Sequence, residues 1–231
     1  MAKHPIFAAH KINVARLALG ATILASAATA HVTGTAIAAT ANADKQPVAS
    51  KAEHAGIKTA TTDENKINVT AAQVLALAKS QVGTSENAAG GGTKYQQWYA
   101  NSQRAAETIA RDGGSRAEYL NAPWCAMFIS WVGEQTGARP QIGWDAWTVA
   151  HAKWFKANNR FGTVAKPGAV VYFSWSGSKD ISDINHVGFV VKDNQDGTVS
   201  TVEGNTGNGK VEERVRPKSQ IVGYGYPEYA A

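Results

Sequence analysis

Residues 121–137, NAPWCAMFISWVGEQTG, contain the pattern that decides how this chain folds. Four of them recur at intervals of three and four residues and would share one face of a helix: Cys125, Phe128, Ile129 and Val132. Asn121 is a typical helix cap, Pro123 suits a first turn, and Gly137 is a typical helix end. The stretch therefore predicts a helix that carries Cys125 in its first turn, on the inward face.

Other helical patterns flank this central helix. Thr70 and Gln73 match a capping box, and apolar residues at helical spacing then continue to Gly83, where a helix would end. Residues 95–99, YQQWY, predict a short aromatic helix, and residues 146–157 predict a helix that contains two tryptophans. The first half of the folded part is therefore expected to be helical.

The hydrophobic period changes after this helical part. Runs rich in valine, isoleucine and aromatic residues alternate with Gly, Asn and Asp turns, which is the pattern of β-strands. The predicted strands are residues 169–175, 186–192, 198–203, 211–216 and 221–226. Helices followed by strands indicate an α+β domain, with the helices packed on a largely antiparallel sheet.

The N-terminus has the features of an export signal. Residues 1–16 hold three basic residues and no acidic one, and residues 17–30, LALGATILASAATA, form an apolar run too short to assign as a transmembrane helix. Small residues allow cleavage after Ala30 or after Ala43. We predict that residues 1–43 are a signal peptide and that the protein is secreted; an uncleaved membrane anchor is the alternative.

Residues 44–66 are polar and charged, which predicts a flexible linker before a single folded domain at 67–231. Residues 1–43 hold three of the 23 basic residues and none of the 18 acidic ones. The rest of the chain therefore has 20 basic and 18 acidic residues, a net charge of +2. This small excess gives no reason to expect a nucleic-acid partner. Contact with a membrane is expected only through the signal segment before cleavage.

Cys125 is the one cysteine of the chain. Exported proteins usually pair their cysteines in disulfides, so an unpaired cysteine is either an inert core residue or a thiol kept for its reactivity. The start of a helix favours the second interpretation, because unpaired backbone N–H groups there stabilise a thiolate and the oxyanion of a tetrahedral intermediate. Cys125 is therefore the candidate nucleophile.

A nucleophilic thiol needs a base, and histidine is the usual one. Beyond residue 43 the chain has three histidines. His54 lies in the predicted linker, and His151 lies in a helix, where a packing or solvent-facing role is expected. His186 begins an apolar strand beside a small residue, Gly188, which leaves room for a neighbour. We therefore predict that His186 is the base.

An imidazole base also needs an acceptor that orients it. Glu203 and Asn205 lie two residues apart at the end of the next strand, and both would face His186 if the strand stays extended through Gly204. The sequence alone does not decide which of the two is the main orienting residue. The chain has too few closely spaced Cys and His residues for a zinc site, so neither a metal nor another cofactor is expected.

Four stretches resemble, in order, the motifs of the CHAP family, the cysteine- and histidine-dependent amidohydrolases and peptidases. They are residues 122–131, APWCAMFISW, 166–173, KPGAVVYF, 185–190, NHVGFV, and 202–205, VEGN. Ala169 occupies a structural position where family members commonly have an acidic residue. The acidic calcium-binding loop of some members is missing, so the resemblance implies no metal.

The resemblance implies a papain-like fold and a secreted peptidoglycan hydrolase that acts on the cell wall. The cleaved bond would be the muramoyl–L-alanine amide or a peptide bond of the stem or cross-bridge. By motif match, Cys125 is the nucleophile, His186 the base, Glu203 the orienting residue and Asn205 a supporting one. Trp124 adjoins Cys125 and is expected to contact the substrate.

Two alternatives of other classes stay open at this point. One is a non-catalytic cell-wall-binding or adhesive protein with the same fold, and the other is an exported thiol protease that acts on proteins. A regulatory or targeting partner is compatible with either the hydrolase or these alternatives.

Overall fold

The computed structural model describes residues 66–231. The predicted signal peptide, residues 1–43, lies outside the described residues, as does all of the predicted linker except Lys66. His54 lies outside them as well. The described residues include all of the predicted folded domain, 67–231. The boundary between linker and domain stays a prediction.

Helices occupy the first half of the described residues. They are α1 (Ala71–Ser80), α2 (Lys94–Ala100), α3 (Gln103–Asp112), α4 (Cys125–Thr136), α5 (Arg139–Ile142) and α6 (Thr148–Ala157). The predicted capping box is present at the start of α1, where the Thr70 hydroxyl accepts a hydrogen bond from the Gln73 N–H. The sequence patterns predict α1, α2, α4 and α6, whereas α3 and α5 were not foreseen. None of the helices in residues 66–231 has the length and apolar character needed to cross a membrane.

The second half forms a six-stranded antiparallel sheet. Its strands are β1 (Phe161–Gly162), β2 (Val170–Phe173), β3 (His186–Asp193), β4 (Thr198–Thr206), β5 (Lys210–Pro217) and β6 (Ile221–Gly225). They lie side by side in the order β1-β6-β2-β3-β4-β5. The predicted α+β class, with helices packed against an antiparallel sheet, is confirmed.

The sheet separates two apolar clusters. The larger one joins the helices to the side chains of alternate strand residues, among them Val187, Phe189 and Val202. The smaller one includes Phe173 and Val190. Because neighbouring strand residues face opposite sides, His186 and Glu203 alternate with the helix-facing residues and share the side of the smaller cluster. The two polar residues therefore lie at the border of the main core rather than within it.

Helix α4 begins later than the sequence predicts. Its N-cap is Trp124, whose carbonyl accepts from the Phe128 N–H at 2.9 Å, and no side chain caps this end. The prediction that Asn121 caps the helix is wrong, because Asn121 ends a separate 3₁₀ turn, Arg116–Asn121. Pro123 accordingly precedes the helix. The N–H groups of the first turn, which begins at Cys125, are therefore left without a side-chain acceptor.

The start of α4 is held against the sheet by close packing on Gly204. A Cβ atom at Gly204 would lie 2.6 Å from the Phe128 Cβ and 2.8 Å from a Trp124 ring carbon, closer than real contacts allow. Only glycine therefore permits this approach of β4 to α4. The contact brings the first turn of α4 to the end of the sheet where β3 begins.

Candidate active site

Cys125 is the first residue of α4 and is 5% exposed. It lies in the wall of a cavity of about 400 Å³, together with Pro123 and Met127 of the same segment. Its position at an uncapped helix start combines a positive helix end with free backbone donors. These are the surroundings that favour a thiolate and an oxyanion.

His186, the first residue of β3, connects Cys125 to Glu203. Its Nε2 lies 2.9 Å from Oε2 of Glu203, and the Cys125 side chain is near enough to act on the charge of the ring. Burial alone would lower the pKa of His186. The hydrogen bonds and charges of Cys125 and Glu203 outweigh burial and raise the pKa to about 9. The ring is therefore an imidazolium at neutral pH, and its Nε2 proton is directed to Glu203.

Glu203 is completely buried, and three side chains satisfy its carboxylate. Besides His186, the Thr201 hydroxyl donates to Oε1 at 2.6 Å, and Arg216 donates from Nε at 2.9 Å and from Nη2 at 2.6 Å. Burial alone would raise the pKa of Glu203, but the hydrogen bonds from Arg216 and His186 lower it to about 2. Glu203 is therefore a permanent anion that faces the imidazole.

The space for the Glu203 side chain comes from Gly188. A Cβ atom at Gly188 would lie 2.7 Å from the Glu203 Cγ and 3.2 Å from the Val202 carbonyl oxygen. The sequence pattern predicts that this glycine leaves room beside His186. In the structure the room is filled by the side chain of Glu203, so the glycine fixes which residue faces the histidine.

Asn205 lies apart from this chain of contacts. The register of β4 with β5 shifts between Glu203 and Thr206, and Asn205 has a φ of 54°, so the strand does not stay extended through Gly204. No hydrogen bond among the described residues joins its side chain to His186. The geometry thus brings together Cys125, His186 and Glu203, and it leaves Asn205 half-buried at the bulge.

The structure places Trp124, the predicted substrate contact, in the core and not among the residues that line the cavity. Its indole is 0% exposed, stacks on Tyr95 with ring centroids 5.2 Å apart, and donates from Nε1 to Glu86 at 3.1 Å. Trp124, the N-cap residue of α4, therefore packs in the core beneath the start of this helix. Two other tryptophans reach solvent at the site: Trp147 is 61% exposed and lines the cavity, and Trp175 is 43% exposed.

The cavity beside Cys125 has aromatic walls and a few polar groups. Tyr99, Tyr119 and Trp147 form most of the aromatic surface. At one side the carboxylate of Asp145 accepts from Arg104 at 2.7 Å. Thr108 also lines this space, and its buried hydroxyl oxygen has no hydrogen-bond partner among residues 66–231. An elongated group with an apolar body and a polar end fits such a lining.

His151 is the other histidine among the described residues. Of the two roles expected for it, packing or facing solvent, the structure shows packing in the core. It is completely buried, with Nε2 at 2.6 Å from the Ile142 carbonyl oxygen. Burial, the largest effect, lowers its pKa. Within residues 66–231, no three His, Cys, Asp or Glu side chains cluster in a way that could hold a metal ion.

A comparison with protein families identifies the domain. Residues 117–205 match the family model of the CHAP domain. The chain contains a CHAP domain. This is a family of cysteine- and histidine-dependent amidohydrolases and peptidases, and the matched region holds Cys125, His186 and Glu203. No curated protein matches the chain.

The sequence patterns missed three groups that complete the site. Thr201 and Arg216 bind the Glu203 carboxylate, and the Trp175 ring lies 5.2 Å from the His186 ring. Thr201 could have been found, since it precedes Glu203 by two residues and faces the same side of β4. Arg216 lies beyond the matched CHAP region, and it stands opposite Val199, so its contact with Glu203 depends on the direction of its side chain.

Proposed function

We propose that this CHAP domain protein is an exported peptidoglycan hydrolase that uses Cys125 to cleave an amide bond of the cell wall. The observation that carries the proposal is the position of His186, which hydrogen-bonds the buried Glu203 and has the Cys125 side chain near enough to raise its pKa. A non-catalytic wall-binding protein has no need of a permanent buried carboxylate behind a histidine that faces a free thiol. The complete arrangement therefore supports an enzyme.

The first half of the reaction forms a thioester. The Cys125 sulfur, as the thiolate partner of the His186 imidazolium, attacks the amide carbonyl carbon of a substrate bound in the cavity. The uncapped N–H groups at the start of α4 donate hydrogen bonds to the oxyanion. His186 then gives a proton to the leaving amine, and the C–N bond breaks.

The second half releases the acid. His186, now neutral, takes a proton from a water molecule that attacks the thioester carbonyl, and the Cys125 thiolate leaves with the imidazolium restored beside it. Glu203 keeps the ring oriented and stabilises the imidazolium in both halves. The products are one new carboxylate and one new amine.

The cavity supports a substrate with an extended peptide character. Its aromatic walls match an acyl chain or stem peptide, and polar groups lie at one side. The muramoyl–L-alanine amide and the peptide bonds of the stem or cross-bridge all have this character. A secreted, wall-associated location follows from the predicted signal peptide and from the substrate proposed.

Digestion of purified peptidoglycan tests the proposal. The protein without residues 1–43 is expected to release soluble fragments whose masses show a hydrolysed amide, whereas Cys125→Ala and Cys125→Ser are expected to release none. Casein is digested in parallel, and faster cleavage of casein than of peptidoglycan would favour the thiol protease instead. Fragment release by Cys125→Ala at the normal rate would refute the cysteine mechanism.

A further inference from the structure

Arg216 of β5 binds the same Glu203 carboxylate that His186 contacts. Its Nε donates to Oε1 at 2.9 Å and its Nη2 donates to Oε2 at 2.6 Å, so the guanidinium grips both oxygens. Nη2 also donates to the Thr206 hydroxyl at 2.9 Å. A planar guanidinium can make this two-point contact, and a lysine ammonium cannot.

The guanidinium is also covered by an aromatic side chain that contacts His186. The Arg216 Cζ lies 4.9 Å from the centroid of the Trp175 ring, within the range of a cation–π contact. The Trp175 ring in turn lies 5.2 Å from the His186 ring. Arg216 is thus fixed by Glu203, Thr206 and Trp175 together, and only about a fifth of its side chain is exposed.

The charges of the site balance only when Arg216 is included. With Cys125 as a thiolate and His186 as an imidazolium, Glu203 adds a second negative charge and Arg216 adds a second positive one. Neighbouring charged groups are paired or hydrogen-bonded elsewhere: Arg214 with Glu212 on β5, Arg104 with Asp145 at the cavity, and Glu86 with the Trp124 indole. Phe173 and Trp175, on the remaining side, are uncharged.

We propose that Arg216 is a positioning residue of the active site, which fixes the orientation of Glu203 and compensates its charge while Cys125 and His186 form an ion pair. The proposal rests on the proposed roles of Cys125 and His186. It places a necessary residue outside the region that matches the CHAP family model, which ends at residue 205.

The sign of the electrostatic effect follows from the charge count. The site reaches its thiolate–imidazolium form by losing one proton from the form in which the thiol is protonated and the imidazole is charged. Arg216 favours this loss because it is a nearby cation. Without it, the same proton loss would leave the buried cluster with a net negative charge, so a higher pH would be needed.

Alkylation of Cys125 by iodoacetamide measures thiolate formation directly and needs no substrate. For Arg216→Met, which removes the charge and keeps much of the apolar stem, we expect the pH midpoint of the alkylation rate to rise by about one unit. Peptidoglycan cleavage should fall by about 10- to 100-fold, the size of loss found when the outer-shell partners of metal-binding histidines are replaced. Arg216→Lys keeps the charge but loses the fork, so its midpoint should stay closer to that of the natural protein while cleavage is still reduced.

Arg214→Met is the matched control. Arg214 lies on the same strand and pairs with Glu212 at 2.5 Å instead of with Glu203. We expect this variant to keep the natural alkylation midpoint and cleavage within about twofold, since surface changes away from a site have small effects. An unchanged midpoint in Arg216→Met, or an equal loss in Arg214→Met, would overturn the proposal.

A double-mutant cycle separates positioning from a general loss of structure. If Arg216 acts through Glu203, then Arg216→Met should change the alkylation midpoint much less when Glu203 is already Gln than in the natural protein. Independent, additive effects of the two substitutions would contradict the proposal. If Arg216→Met shifts the alkylation midpoint but the natural protein does not cleave peptidoglycan, the role of Arg216 is supported and the proposed substrate is contradicted.

Discussion

The two histidines of the described domain are both buried, yet their surroundings give them opposite properties. His186 hydrogen-bonds Glu203 through Nε2 and interacts with Cys125, and its pKa is raised to about 9. His151 binds the Ile142 carbonyl through Nε2, whereas its Nδ1 is buried with no hydrogen-bond partner in the structure, and its pKa is lowered. Burial acts in the same direction on both rings. The difference arises from the anionic partner that only His186 has.

The comparison shows why the two rings serve different purposes. A histidine enclosed by aromatic rings, with Phe155 at 5.5 Å and Tyr172 at 5.8 Å between centroids, behaves as a neutral core residue that satisfies one carbonyl. A histidine held between a thiol and a fixed carboxylate can accept a charge in a buried place. A histidine that acts as an acid–base catalyst therefore needs surroundings like those of His186, where the Glu203–Arg216 pair provides a fixed carboxylate.

The largest contrast is expected from replacing each histidine by glutamine. His186→Gln should lower peptidoglycan cleavage by at least about 100-fold, because general acid–base groups contribute about 10²–10⁴-fold. His151→Gln should keep cleavage within about twofold at a temperature well below its unfolding midpoint. Soluble fragment release measured side by side checks both. Comparable losses in the two folded variants would mean that the comparison is mistaken.

A smaller contrast is expected from the glycines that touch each region. Gly188 leaves room for the Glu203 Cγ, and Gly143, with a φ of 82°, approaches the His151 Nε2, which an added Cβ would reach at 3.0 Å. Alanine at either position should lower the free energy of unfolding by about 1–3 kcal/mol through overpacking. Only Gly188→Ala should also lower cleavage, by about 10- to 100-fold, because it displaces Glu203.

Urea unfolding and cleavage assays of the two alanine variants test this contrast. Cleavage is measured at a temperature where both variants are folded. A loss of activity in Gly143→Ala as large as in Gly188→Ala would show that the site responds to stability in general rather than to the position of Glu203.

The smallest effect is a difference in the pH dependence of stability. Native His186 keeps its proton up to about pH 9, whereas the unfolded histidine loses it near 6.5, so its stabilisation is full below 6.5 and is lost as the pH rises through 9. His151 has the opposite sign: its lowered native pKa means that stability is lost as the pH falls below 6.5.

Urea midpoints between pH 5 and pH 9.5 would resolve these two contributions. We expect His186→Gln to flatten the alkaline side of the curve and His151→Gln to flatten the side between pH 6.5 and 5. Glu203 does not interfere in this range, because its pKa is about 2. If both variants followed the curve of the natural protein at every pH, the assigned charges of the two histidines would be wrong.

The positions of Cys125 and His186 could be predicted because each depends on a local pattern. The spacing of Phe128 and Ile129 behind Cys125 indicates the helix, and the apolar run that follows His186 indicates the strand. Both residues begin their elements in the structure, Cys125 in α4 and His186 in β3. Local hydrophobic periodicity was therefore enough to predict that Cys125 lies in the first turn of a helix and that His186 begins a strand.

The choice between Glu203 and Asn205 depended on a feature that the pattern does not contain. The bulge between Glu203 and Thr206 turns Asn205 away from the extended geometry that the sequence suggests. The partner of Glu203 was equally hidden. Alternation puts Arg214 and Arg216 on one face of β5, and the register pairs them with Thr201 and Val199, so only the direction of the side chains decides that Arg216 reaches the carboxylate. Adjacency in sequence does not fix which side of a helix start faces the cavity, and Trp124, next to Cys125, is buried in the core.

The most direct test of this account is an NMR titration of the histidine ring nitrogens between pH 5 and pH 10, with His151→Gln and Cys125→Ala used for assignment. His186 should carry a proton on both nitrogens at pH 7 and lose one near pH 9, whereas His151 should be neutral at pH 7. A His186 ring that is already neutral at pH 7, with Cys125 and Glu203 intact, would contradict the ion pair on which the mechanism depends.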